Sequence, residues 1–254
     1  LTVSDTDGNV VRRLTGPASS GFHRVAWNLR YPSPRPTSLT PWQRENPWDT
    51  EPMGPMALPG EYIVAIAKCV QGVTTPLGEQ QSFETTPLAN TTLPAADKPA
   101  LLAFQRKCAR LQKAILGTQR VADEAQQRID LAERALQETP GANQALLDVA
   151  AALDTRLKDL LIELEGDRTV SRREEPTSPS ISDRISWIIW SHWEATSNVP
   201  PAFERQYEIA AEAFGRLLSD LRQLVQVDLR ALEAELDAAG APWTPGRFPV
   251  WERD

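Results

Sequence analysis

Glu45, Asp49 and Glu51 fall close to Trp42 and Trp48 in a proline-rich stretch, where carboxylates and indoles crowd together outside any helical pattern. Two carboxyl groups cleave a glycosidic bond when they face each other across roughly 5–10 Å. Exposed indoles offer a large, rigid apolar face on which a sugar ring can stack. A second aromatic set, Trp187, Trp190 and Trp193, steps by three beside Ile185, Ile188 and Ile189. A helix that is apolar nearly all round is either buried or adhesive. These three indoles are therefore read first as core or interdomain packing and second as a platform for a glycan or a protein. His192 beside them reads as a packed or hydrogen-bonded histidine rather than a base.

Other chemistry is thinly supplied. His-Glu-x-x-His, paired Cys-x-x-Cys, Gly-x-Gly-x-x-Gly, Walker-loop and Gly-x-Ser-x-Gly patterns do not occur. His23 and His192 are the only histidines, so a metal centre is not expected. Cys69 and Cys108 lie in a predicted strand and on a predicted helix, and both read as small buried hydrophobes rather than as a disulfide. The binding candidates are thus Trp42, Trp48, Trp187, Trp190 and Trp193, with no catalytic residue, no metal ligand and no cofactor assigned. An enzyme centred on the proline-rich loop remains a third reading, which requires a hollow with at least two converging carboxylates.

The elements that must position these residues divide near residue 95. Before it the text is punctuated by Gly and Pro and rich in Trp and Val. After it, from Leu101, the residues Phe104, Cys108, Leu111, Ile115, Thr118, Ala122, Ala125, Ile129, Ala132 and Leu136 recur at steps of three and four. Only a long helix returns such a series to one stripe. With 254 residues, 41% of them hydrophobic, the chain can bury two cores. The net charge of −7 is spread over both halves and neither is basic, which argues against a nucleic-acid partner. No run approaches the ~20 apolar residues of a membrane span, and no signal-peptide pattern opens the chain. Leu1-Thr-Val-Ser-Asp reads as a strand already under way, so a fragment of a longer polypeptide is expected.

In the β half, strands are expected over Leu1–Ser4 and Val10–Leu14, joined by Asp5-Thr-Asp-Gly-Asn9. A calcium loop is the alternative for that turn, but Val10 and Gly16 stand where an EF-hand needs Gly and Glu. Phe22 to Tyr31 alternates, with His23, Val25, Trp27, Leu29 and Tyr31 expected to face inward. Residues 32–59 lack periodicity and read as a surface loop pinned by its aromatics. Glu61–Val70 and Gln80–Thr86 complete the strands, with a turn at Gly72. Five to seven short strands at this spacing predict an Ig-like sandwich over 1–92.

In the helical half, helices are expected over about 97–138, capped by Asp97, and 142–165, after Thr139-Pro140-Gly141. Gly166–Ser180 reads as a flexible linker, and two more helices follow over 182–196, capped at Ser182-Asp183, and 200–239, opened by Pro200-Pro201. The first helix would be a rod on the order of 60 Å, and the last is long enough to lie beside it. The expected fold is α+β in two modules: the sandwich, then an elongated antiparallel bundle with two long helices over 96–240, then a Pro/Trp-rich tail over 241–254. The heptad-like steps also allow a partner chain, although packing within one chain is favoured because complementary stripes are present.

Asp-x-x-Gly-Asn-x-Val-Arg at 5–12, Gly-Phe-His-Arg-Val-Ala-Trp-Asn-Leu-Arg-Tyr at 21–31 and Leu-Pro-Gly-Glu-Tyr-Ile-Val at 58–64 together resemble an Ig-like module of the flagellar hook-capping type. More closely, they resemble the version that follows the β-propeller in bacterial sortilin-like (Vps10-type) proteins, often labelled BNR-repeat glycosyl hydrolases. The tail Gly240-Ala-Pro-Trp-Thr-Pro-Gly-Arg-Phe-Pro249 is similar to the closing segment of those proteins. The resemblance implies a non-catalytic structural or protein-interaction region. Its first partner would be an upstream propeller of the same polypeptide, with another protein or a glycan as a further partner. It also implies an extracytoplasmic parent. The alternative is an accessory, carbohydrate-contacting module of a glycoside hydrolase, to be told apart by whether the tryptophans are exposed.

Overall fold

A computed structural model describes residues 1–88, 93–173, 175–249 and 251. The chain is α+β. Strands β1 (Thr2–Asp5), β2 (Val10–Arg13), β3 (Gly60–Ala65), β4 (Ala67–Val70), β5 (Val73–Pro76) and β6 (Gln81–Thr85) precede the helices. These are α1 (Lys98–Glu138), α2 (Gln144–Glu165), the single turn α3 (Arg168–Ser171), α4 (Ile181–His192), α5 (Pro201–Gln223) and α6 (Leu229–Ala238), with a π-helical turn at Leu224–Asp228 between the last two.

The division into compact units does not fall at residue 95. One unit comprises Leu1–Arg110 with Ile188–Glu204, and the other Leu111–Trp187 with Arg205–Asp254. Polar contacts tie the β half to chain distant in sequence. The amide of Ala95 donates to the Thr196 carbonyl at 2.7 Å and that of Ala96 to Asn198 at 3.1 Å. Buried Gln105 on α1 donates to the His192 carbonyl at 2.9 Å.

In the first unit an antiparallel sheet runs in the order β2-β1-β3-β6. Val3 pairs with Val64, and Tyr62 with Phe83, which puts these four side chains on one face. Val3 opposes Arg12 while Ser4 opposes Val10, so Val11 is the extra residue of a bulge, and its side chain enters the core. Trp27, Tyr31 and Ala57 cover that face from irregular chain. Trp27 meets Tyr62 edge-on at 5.2 Å, and its indole N–H donates to the Arg30 carbonyl. The strand expected over Phe22–Tyr31 is therefore not formed. Gly21 and Leu29 both have positive φ, and only Arg30 bridges, to Met56. Glu61–Val70 is likewise two strands broken at Ile66. The ribbon β4-β5 is exposed along its whole length and supplies no second layer. Cys69 on that ribbon is exposed, contrary to expectation, whereas Cys108 is buried with its thiol pKa pushed up to about 12 by desolvation. In the turn at 5–9 both Asp5 carboxylate oxygens accept from Asn9, one from its amide and one from its side chain.

In the second unit the core is built from Ala125, Ile129, Ala132 and Leu136 of α1, Leu153 and Leu157 of α2, and Leu221, Leu224, Leu229, Leu232 and Leu236 of the last helical run. The small residues on α1 let neighbouring backbones approach closely. The core leucines step by five from Leu224 to Leu229, which an α-helix would carry off the stripe. A π turn absorbs the extra residue and returns Leu229 to the core, and Asp228 on that turn accepts from Arg156 of α2. Asn143 caps α2, whereas α4 starts at Ile181, just ahead of the cap expected at Ser182-Asp183, and ends at His192 rather than at 196. Ser180 and Asp183 form its capping box, each side chain accepting from the other's amide. The expected linker holds α3, capped by Asp167. The tail seals this unit. Arg247 donates to Asp237 and to the carbonyls of Ala241 and Pro242, and Gly246 lies over a buried ion pair of Arg128 and Glu233.

Candidate functional site

The proline-rich segment is a closed surface loop. Its ends meet where the Tyr31 amide donates to the Pro55 carbonyl at 2.9 Å, Gly54 to Tyr31 at 3.1 Å and Ala57 to Leu29 at 2.8 Å. A β-carbon on Gly54 would collide with the carbonyl oxygens of Tyr31 and Pro32, so only glycine permits this closure. Arg30, itself buried, fastens the same place by donating to the carbonyls of Gly54 and Trp193, each at 3.4 Å, and to Glu194 at 3.1 Å. Sequence reasoning overlooked Arg30. The alternation of Phe22–Tyr31 placed it on the outward side, with Arg24 and Asn28, so nothing local marked it as buried.

Within the loop a shallow hollow of about 640 Å³ is lined by Trp42, Trp48, Arg35, Gln43, Glu45 and Asp49, among others. Trp48 is 91% exposed and Trp42 41% exposed. Asp49 Oδ2 accepts from the amides of Glu45 and Asn46 at 3.1 and 2.8 Å, an Asx-type staple that shapes the loop. Glu45 and Asp49 share the hollow, and Glu51 is not among its lining residues. Among the described residues no group of three or more His, Cys, Asp or Glu is placed to hold a metal ion.

No family model, curated protein or solved structure matches this chain.

The second aromatic set is split. Trp193, in the first unit, is 8% exposed and is corrected from a binding candidate to a packed residue. Trp190 in the same unit is 78% exposed, and Trp187 in the second unit 57% exposed, against the packing expectation for both. The geometry of α4 explains this. Ile181, Ile185, Ile188 and His192 recur at steps of three and four and are buried, which turns 187 and 190 to the opposite side of the helix. His192 is buried against Phe203 with ring centroids 5.6 Å apart, and neither ring nitrogen has a hydrogen-bond partner of ordinary geometry. Burial holds its pKa below the usual histidine value, the backbone of Asn198 acting against this as the smaller effect. An imidazole kept neutral and packed against a phenyl ring is a core residue.

Proposed function

We propose that this chain is a non-catalytic structural and protein-interaction region that supports a sortilin-like β-propeller lying upstream in an extracytoplasmic parent protein. The sheet of the first unit corresponds in this reading to the Ig-like module, and the helices to an antiparallel bundle that sets distance and orientation. The observation that supports it most is the use made of the residues behind the resemblance. Asp5 and Asn9 close a turn, Trp27, Tyr31 and Tyr62 build the sheet core, Arg30 fastens the loop base, and Gly246 with Arg247 seals the tail. Each is spent on holding the fold. The reading frame upstream of Leu1 tests it. Asp-box propeller repeats are expected there, and a different upstream domain would overturn the proposal.

A second reading is favoured by one observation, the exposed Trp48 and Trp42 in a hollow lined by polar side chains. Stacking on one indole and hydrogen bonds to Gln43 and Arg35 would suit a glycan chain. Calorimetric titration with soluble xylan, cellulose and chitin oligosaccharides decides it. Binding lost in Trp48→Ala would establish the glycan reading, and silence from all three classes would leave the structural one.

A further inference from the structure

We propose that the first unit carries a binding site for a small amphipathic anion, an apolar molecule bearing one carboxylate, in a cavity separate from the tryptophan loop. The cavity measures about 600 Å³, within the range of roughly 300–1,000 Å³ usual for small-molecule sites. Its walls come from the loop base and β3 entry (Leu29, Met56 to Pro59), the end of β6, the first turns of α1 (Leu101, Leu102) and the chain after α4 (Ala195, Thr196). The lining is predominantly apolar, so a sugar or nucleotide would leave most of its polar groups without partners.

Two further features point to an occupant. Leu29 adopts φ 57°, a left-handed conformation that a leucine rarely takes, and its side chain lines the cavity while remaining half exposed. Its carbonyl accepts from the Ala57 amide at 2.8 Å, which ties this residue to the loop base. Backbone strain of this kind is typical of ligand clamps. Lys98 is the one charged residue of the lining, and among the described residues its ammonium has no ion-pair partner. The neighbouring acid, Asp97, is turned to its own helix, where it accepts from the Ala100 amide at 2.9 Å. The cavity therefore couples an apolar body site to a single exposed ammonium, that of Lys98, at the amino end of α1. That combination selects a monoanion with an aliphatic or aromatic body over a neutral apolar molecule.

Fluorescence titration of the intact chain with 1-anilinonaphthalene-8-sulfonate, followed by displacement with decanoate and with 1-decanol, tests this. The expected result is saturable one-to-one binding by protein with an unchanged near-ultraviolet circular dichroism spectrum, with decanoate displacing the dye about tenfold better than decanol. Lys98→Gln, an exposed change on the first turn of a long helix, should remove the preference for decanoate and leave decanol unaffected. Met56→Trp should fill the cavity and abolish both. Failure of the folded protein to bind the dye saturably, equal displacement by decanoate and decanol, or a preference that survives Lys98→Gln would each overturn the proposal.

Discussion

Arg30 and Arg128, one in each unit and both largely enclosed, solve the same problem differently. Arg128 of α1 makes a bidentate pair with Glu233 of α6, its Nε and terminal nitrogen each 2.8 Å from a different carboxylate oxygen, and both side chains are almost wholly enclosed. Gly246 closes the site: a β-carbon there would stand 2.6 Å from Arg128 Nε and from Glu233 Oε1. Arg30 is equally buried but spends its nitrogens on backbone carbonyls, and its one carboxylate partner, Glu194, is 81% exposed. At Arg128 charge meets charge in an enclosed space, whereas Arg247 of the same unit, like Arg30, divides its nitrogens between backbone carbonyls and a partly exposed carboxylate, that of Asp237. In the sheet unit a cation stitches loops together and leaves its charge to be balanced at the surface.

The cores differ in the same sense. The helical unit packs interlocking leucines from three helical stretches, whereas the sheet of the first unit packs Val3, Val11 and Tyr62 against half-buried aromatics. Fully burying a leucine contributes about 1.5–3 kcal/mol, so the helical core is dominated by apolar burial. The apolar cavity beside Leu29 lies in the first unit.

The sharpest way to break the comparison is Glu233→Ala. It strands the Arg128 guanidinium in a closed site and should cost on the order of 3–5 kcal/mol, read as a fall in the urea midpoint. Replacing both partners, Arg128→Met with Glu233→Leu, should recover most of that loss, since the penalty comes from the unpaired charge. A double variant as unstable as the single one would mean that the pair itself, rather than its desolvation, holds α1 to α6. Arg30→Met is expected to cost less, about 1–3 kcal/mol, because it frees two carbonyls joined by long hydrogen bonds rather than an isolated charge. The same variant should raise protease cleavage within residues 32–53 by loosening the loop base.

The contrast between the units also governs what could be read in the sequence. The stripe from Leu101 and the cap at Asp97 were legible because 3.6-residue periodicity and helix capping are local rules, and the Asp97 carboxylate does accept from Ala100. The five-residue step from Leu224 to Leu229 was visible too, although its consequence, a π turn, requires knowing that both leucines face one core. In the sheet unit local rules mislead. Phe22–Tyr31 alternates like a strand, but Gly21 and Leu29 take positive φ, and Leu29 and Tyr31 bond to Ala57, Pro55 and Gly54 of the loop base, about two dozen residues onward, rather than to a neighbouring strand. Trp187 and Trp190 look like core by composition, yet the face of α4 that is buried is fixed by Ile181, Ile185 and Ile188, which only packing reveals. Of the candidate site, the tryptophan loop was found from its composition. Arg30, Gln105 and the cavity over Leu29 depend on contacts between distant segments and were not.

A smaller effect belongs to His192, the buried imidazole of the sheet unit. Its pKa is lowered on folding, so the unfolded chain binds its proton more readily than the folded one. The stability it supports is complete above the unfolded value of about 6.5 and is lost as pH falls through that value toward the lower folded one. The urea midpoint should therefore drop between pH 7.5 and 5 in the native chain. In His192→Phe, where Phe203 offers an aromatic neighbour, the drop over this interval should shrink. An unchanged pH profile would remove His192 from the account.

The smallest expected effect sharpens the comparison most directly. Glu194→Ala removes the only carboxylate that Arg30 touches among the described residues, as Glu233→Ala does for Arg128. If the presence of a charge partner were what mattered, the two substitutions would cost alike. Glu194 is largely in water, however, where an ion pair contributes about 0–1 kcal/mol and solvent can take over the role of the lost carboxylate. The Arg30 guanidinium would keep its two carbonyl partners and sit near enough to the surface to be hydrated. A loss below about 1 kcal/mol, further reduced at high salt, is the expected outcome. A loss matching that of Glu233→Ala would mean that Arg30 is as closed off from water as Arg128, and that the sheet unit, too, is held by a sealed charge pair.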